Sequence, residues 1–141
     1  MPKRRKMWVY SPPRPAKPKV PEAVKTDVEA KATNLVDAVL KPLHIKPPRK
    51  NTRWNYIVDL YTKWQRNYFY FYAKYACPGP DALSPFFEIG FARMEYLGGV
   101  GRQSRFNMAY MRHTGKWVEI RNNLSLDQCL AEIKDDGPFQ P

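Results

Sequence analysis

One stretch of this sequence sets aromatic rings and a cation at the spacing that a β-strand gives to a single face. In Tyr68-Phe-Tyr-Phe-Tyr-Ala-Lys-Tyr-Ala76, phenol alternates with phenyl. A period of two sends Phe69, Phe71, Ala73 and Tyr75 to one side of the strand, and Tyr68, Tyr70, Tyr72 and Lys74 to the other. The phenyl side is the obvious core. The other side carries what single-strand nucleic-acid binders use: ring planes on which bases stack, beside cations that meet phosphates. Lys63 shares that face if the preceding strand pairs in register, and Arg93 joins it from the following one. The competing structural reading is that tyrosine is a good strand former and often lies half covered under a second layer, which Trp8 and Tyr10 are placed to supply.

The second feature is electrostatic. Lys3, Arg4, Arg5, Lys6, Arg14, Lys17 and Lys19 place seven of the net +11 charges in the first nineteen residues, without an acid among them, and leave +4 for everything after. Such a segment favours polyanions, and a basic arm that neutralises phosphates makes binding steeply salt-dependent. A solvated tail is the plainer alternative. Met7-Trp8-Val9-Tyr10 is too apolar for a pure linker, so Trp8 and Tyr10 are expected to dock on the domain or on a partner.

A search for catalytic groups returns only loose candidates. His113 sits in a turn next to Arg112 and near Glu119, but a lone turn histidine is commonly structural or solvated. His44 has no acid nearby, and Cys77 in Cys-Pro-Gly-Pro has neither an adjacent histidine nor the second cysteine of a redox pair. Regular pairing puts Glu88 and Glu95 on opposite faces of their strand, which spoils them as an acid and base couple. Gly98-Gly99-Val100-Gly101 followed by Arg102 and Arg105 resembles a phosphate loop, but no helical pattern follows it and its spacing matches neither common fingerprint. No enzyme, cofactor or metal site is expected. A small hydrolase or transferase built on His113 and Glu119 remains the enzymatic alternative.

The elements that must position these residues are readable from period and punctuation. At 141 residues and 43 % apolar content, the chain suits one domain with a genuine core. Prolines at 2, 12, 13, 15, 18 and 21 keep residues 1–21 extended, as a basic proline-rich arm. The domain then occupies 22–141. Val24, Val28, Ala32, Leu35, Val36 and Val39 recur at helical spacing from Glu22 to Lys41, with Pro42 expected to end the helix. Strands follow over Trp54–Tyr61, Tyr68–Ala76 and Phe86–Leu97, with Gly90 marking a bulge or close approach. Phe106–Arg112 and Trp117–Arg121 flank a tight hairpin at His113-Thr114-Gly115-Lys116. Ser125-Leu-Asp-Gln128 has the form of a capping box, and Leu126, Cys129, Leu130 and Ile133 make one apolar stripe on the helix behind it. The fold class is therefore α+β: an N-terminal helix, a five-stranded antiparallel meander and a C-terminal helix.

The order of elements, with Gly115-Lys116-Trp117 at the hairpin, Ser125-Leu-Asp-Gln-Cys-Leu-Ala-Glu-Ile133 on the last helix and a terminal Asp-Asp-Gly-Pro-Phe, resembles small bacterial protein families of unknown function. The resemblance spans roughly residues 22–141, the scale of one ordinary domain. It implies the fold and transfers no activity, and the basic arm lies outside it. Two unpaired cysteines, Cys77 and Cys129, together with the lack of an apolar leader or a membrane-length run, predict a cytoplasmic protein that does not engage a membrane. Two functions are expected from these readings. The first is a nucleic-acid-binding accessory protein, for RNA or single-stranded DNA or a nucleoprotein assembly. The alternative is a protein-interaction or assembly module that uses the arm to dock.

Overall fold

The computed structural model describes residues 17–135 and 137–141. Of the basic arm, Lys17 and Lys19 are included; Lys3, Arg4, Arg5, Lys6, Trp8, Tyr10 and Arg14 lie outside the described residues. Helix α1 (Glu22–Leu35) runs through a π turn (Val36–Leu40) into the short α2 (Lys41–His44). Five strands follow, β1 (Tyr56–Gln65), β2 (Tyr68–Ala76), β3 (Phe86–Gly98), β4 (Arg105–Met111) and β5 (Trp117–Leu124), and then α3 (Leu126–Lys134). The strands form one antiparallel sheet in the order β1-β2-β3-β4-β5, the expected meander.

The first helix does not stop at Pro42. Its buried residues are Val24, Val28, Ala32, Val36 and Leu40, a strict spacing of four. In a 3.6-residue helix each such step slips by about 40°, so the stripe would wind off the sheet within a few turns. The π turn is wider and turns the stripe back. Leu40 therefore completes the core, while Val39 is only half buried. The amide of Lys41 reaches Val36 O, a five-residue step, at the end of this turn. Pro42 follows directly, where the widened turn eases the clash and the missing donor that bar proline from a regular helix interior.

Both helices pack on the phenyl side of the sheet, where Phe69, Phe71, Met94, Phe106 and Met108 are fully buried against Val28, Ala32, Cys129 and Ile133. Burying each phenylalanine contributes about 1.5–3 kcal/mol. The capping box of α3 forms as the spacing implies: Ser125 Oγ accepts from Gln128 N at 3.2 Å, and Gln128 Oε1 accepts from Ser125 N at 2.9 Å. Phe139, in the segment after α3, is also fully buried, and Gln140 Nε2 donates to Ile133 O at 3.3 Å to hold that segment in place.

Two strand expectations need correction. β1 begins at Tyr56 rather than Trp54, because a turn in which Thr52 N donates to Arg49 O and Trp54 N to Thr52 Oγ1 carries the chain past Trp54. The indole of Trp54 is left 83 % exposed. In β3, Phe71 pairs with Ala92 and Tyr72 with Gly90, so Phe91 is an extra, unpaired residue. That bulge inverts the alternation on one side of it. Glu88 and Glu95, expected on opposite faces, both lie on the tyrosine face, opposite Lys74 and Tyr68 respectively.

Candidate nucleic-acid interface

The face away from the helices is built from alternate residues of three strands and the start of β5. In β2, Tyr68, Tyr70, Tyr72 and Lys74 are all half buried, while Phe69, Phe71 and Ala73 between them are fully covered. Lys63 of β1 stands opposite Tyr70 and is exposed; Arg93 of β3 stands opposite the same tyrosine from the other side. The registers thus bring together every strand residue that the alternation assigned to this face.

The rings form a continuous row. Tyr61 stacks on Tyr72 with centroids 5.3 Å apart and planes 13° from parallel. Tyr72 meets Tyr70 at 5.8 Å, Tyr70 meets Tyr68 at 6.1 Å, and Trp117 joins Tyr70 at 5.7 Å. The Arg93 guanidinium lies 4.6 Å from the Tyr68 ring centre and 5.1 Å from that of Trp117, close enough for cation–π attraction to both. Its Nε is buried without a partner among the described residues.

Glycine explains how Trp117 reaches this row. A Cβ placed on Gly90 would lie 3.0 and 3.1 Å from ring carbons Cζ2 and Cη2 of Trp117, so the indole rests on bare backbone. Alanine there requires a small ring displacement, whereas valine must push the indole off the row. Gly90→Val is expected to shift Trp117 fluorescence and to cost about 1–3 kcal/mol in thermal or urea unfolding, the usual range for overpacking. An unchanged emission spectrum and midpoint would disprove the contact.

Two carboxylates are woven into the face. Glu88 Oε2 accepts from the Tyr61 hydroxyl at 2.7 Å. Burial first, and then this bond, push the Tyr61 phenol up to about 12, so it remains a donor at physiological pH. Glu95 lies 3.8 Å from Lys17 Nζ, which also donates to the Tyr68 hydroxyl and sits 4.6 Å from the centre of that ring. Among the contacts of Tyr61, Tyr68, Tyr70, Tyr72, Arg93 and Trp117 named here, Lys17 alone comes from outside the sheet. Lys74 packs its ammonium 4.7 Å from the Phe86 ring centre.

The other chemical candidates do not assemble. His113 is exposed in the β4–β5 turn, and no hydrogen bond or ion pair joins it to Glu119 among the described residues. Burial, the larger influence, holds the His44 imidazole below its usual pKa, and its Nε2 is enclosed without a partner. Cys77 is half exposed and Cys129 fully buried, with burial pushing the Cys129 thiol up to about 12. The glycine-rich loop is closed on itself. Tyr96 donates its hydroxyl to Gly99 O at 2.6 Å, and Arg105 turns its guanidinium onto Arg102 O at 3.0 Å and Ser104 O at 3.1 Å. Among the described residues, no three of His, Cys, Asp and Glu cluster to hold a metal, and no helix is long and apolar enough to cross a membrane.

A family model for a domain of unknown function, DUF3024, matches residues 20–141. The chain belongs to this family. Comparison with curated proteins and with solved structures returned no match. The DUF3024 match takes in the whole sheet and all three helices, and it begins at Val20, which is buried in the core. Tyr61, Trp117, Glu88 and Glu95 are the members of the DUF3024 face that sequence reasoning did not place there. For Trp117 the signal was present: a glycine inside an aromatic strand marks where another group comes close.

Proposed function

We propose that this DUF3024 protein binds single-stranded nucleic acid, RNA or DNA, on the tyrosine face of its sheet. The observation that carries the reading is the half-exposed row of rings from Tyr61 through Tyr72 and Tyr70 to Trp117, flanked by Arg93, Lys63 and Lys74. Bases of any identity stack on such planes, and the cations meet the backbone. The two carboxylates on the face are each held by a hydroxyl or an ammonium, which tempers their repulsion of phosphate. Lys3, Arg4, Arg5, Lys6 and Arg14 add affinity without sequence preference.

The arm's share is measurable. Deleting residues 1–16 removes five cations. If all five meet phosphate, the slope of log affinity against log salt should flatten by about 3.5, at roughly 0.7 per contact on a single strand. Fluorescence anisotropy with labelled oligouridylate at a series of salt concentrations reads this directly. An unaltered slope would remove the arm from the interface.

A protein-interaction module is the second reading, and one observation favours it. β4 pairs with β3 only from Ala92 onward, so residues 86–90 pair with β2 on one side and, among the described residues, have no strand on the other. Phe86, Phe87 and Ile89 on that stretch are exposed, as is Leu83 nearby in the chain. An open, apolar edge suits the addition of an extended segment as a further strand. Ile89→Lys should abolish such pairing, read as a change in oligomeric state or partner capture, and leave oligonucleotide affinity unchanged. Loss of oligonucleotide binding instead would assign the edge to the first reading.

A further inference from the structure

At the corner where the tyrosine face meets the helical side, three separate segments enclose a pocket of about 500 Å³. The extended residues before α1 contribute Lys17 and Lys19, the first turn of α1 contributes Lys25, and the β1–β2 turn contributes Arg66 and Asn67, with Tyr68 beside them. We infer that this pocket binds a phosphoryl group; the inference deepens the single-strand reading by giving one phosphate of the ligand a dedicated site.

Two independent observations support it. Four cationic side chains line one small space, and among the described residues neither Lys19 nor Arg66 has a carboxylate within ion-pairing distance. Among the described residues the carboxylate contacts of Lys25 and Lys17 are long, to Glu22 at 3.9 Å and to Glu95 at 3.8 Å, and Lys17 also donates to the Tyr68 hydroxyl. Four clustered positive charges with so little compensation repel one another unless an anion joins them. The second observation is Asn67. It is 8 % exposed, it borders the same pocket, and its Nδ2 has no hydrogen-bond partner among the described residues. A buried donor left unpaired is costly, and an acceptor brought in by a ligand removes that cost. The backbone at Asn67 is held in place, because its main-chain carbonyl accepts from Tyr96 N at 2.8 Å.

The required ligand group is compact, anionic and rich in acceptors, which describes phosphate. α1 starts at the rim with Pro21 as its N-cap and no side-chain cap, so the positive end of its dipole adds to the field. Tyr68 lines the pocket and also ends the aromatic row. A strand stacked along the row would therefore deliver its terminal phosphate, or a backbone phosphodiester, into the pocket.

The test uses the intact protein and three probes: inorganic phosphate, a 5′-phosphorylated oligothymidylate, and the same oligomer ending in a hydroxyl. Saturable movement of the Asn67 side-chain amide resonances on adding phosphate, at constant ionic strength, is the expected result. A terminal phosphate should bind on the order of tenfold more tightly than the hydroxyl end. Lys19→Gln combined with Arg66→Gln should erase that preference, as should the isosteric Asn67→Asp, whose charge opposes the anion. Should the oligomers bind equally while Asn67 still responds to phosphate, the pocket holds a backbone phosphodiester. If neither oligomer binds yet Asn67 responds, the pocket stands and the sheet reading fails. Oligomers that bind alike, with Asn67 silent to phosphate, would overturn the pocket and leave the sheet intact.

Discussion

Alanine at both Tyr70 and Tyr72 is expected to weaken binding of a single-stranded oligonucleotide by at least about 30-fold at physiological salt. Base–aromatic stacking is worth roughly 1–3 kcal/mol per base, and each removed ring withdraws one platform. These two rings are the centre of the row: Tyr72 holds Tyr61, and Tyr70 holds both Tyr68 and Trp117. Their loss also loosens the neighbours, so the pair should cost more than either alone. Anisotropy titration of the double variant checks this, with circular dichroism to establish that the sheet persists. A folded double variant with undiminished affinity would refute the stacking role and leave binding to the charges.

The largest expected effect on stability lies on the opposite face of the same strand. Phe71 is fully buried, with Phe69 edge-on to it at 5.3 Å and Phe91 at 6.1 Å. Phe71→Ala should cost about 3–5 kcal/mol, combining lost transfer energy with a cavity between strands and helices that cannot fully collapse. For a domain of this size that corresponds to a fall in melting temperature on the order of 10–20 °C. Differential scanning calorimetry measures it. A shift of only a degree or two would mean that the phenyl side is not the packed core. One strand thus carries both expected extremes, the core on its odd-numbered residues and the proposed stacking on its even-numbered ones.

The alternation on β2 is visible in the sequence and places Lys63 and Arg93 on the tyrosine face; the short connections give the sheet order, and the Ser125-to-Gln128 spacing gives the capping box. What escaped it arises where the count of residues per turn or per rung changes. The π turn, which has no distinctive composition, shifts burial from Val39 to Leu40; the bulge at Phe91, flagged by the adjacent Gly90 but not its consequence, brings Glu88 round to join Glu95. Phe139 is a single apolar residue among turn formers, with no period to announce it. The pocket proposed for phosphate draws on residues 17–20, 25 and 66–68, which only the folded chain brings together.

Trp117 has a further bearing on how this face comes apart. β5 is an edge strand, and edge strands are where a sheet ordinarily opens first. Because its first residue reaches past the end of β4 to rest on Gly90 and meet Tyr70 and Arg93, β5 cannot peel away without withdrawing Trp117 from the aromatic row and uncovering Gly90. Local opening of the edge and loss of the Trp117 end of the row are one event. A strand lying across the rings must then slow amide exchange in β5, including at residues that it never touches.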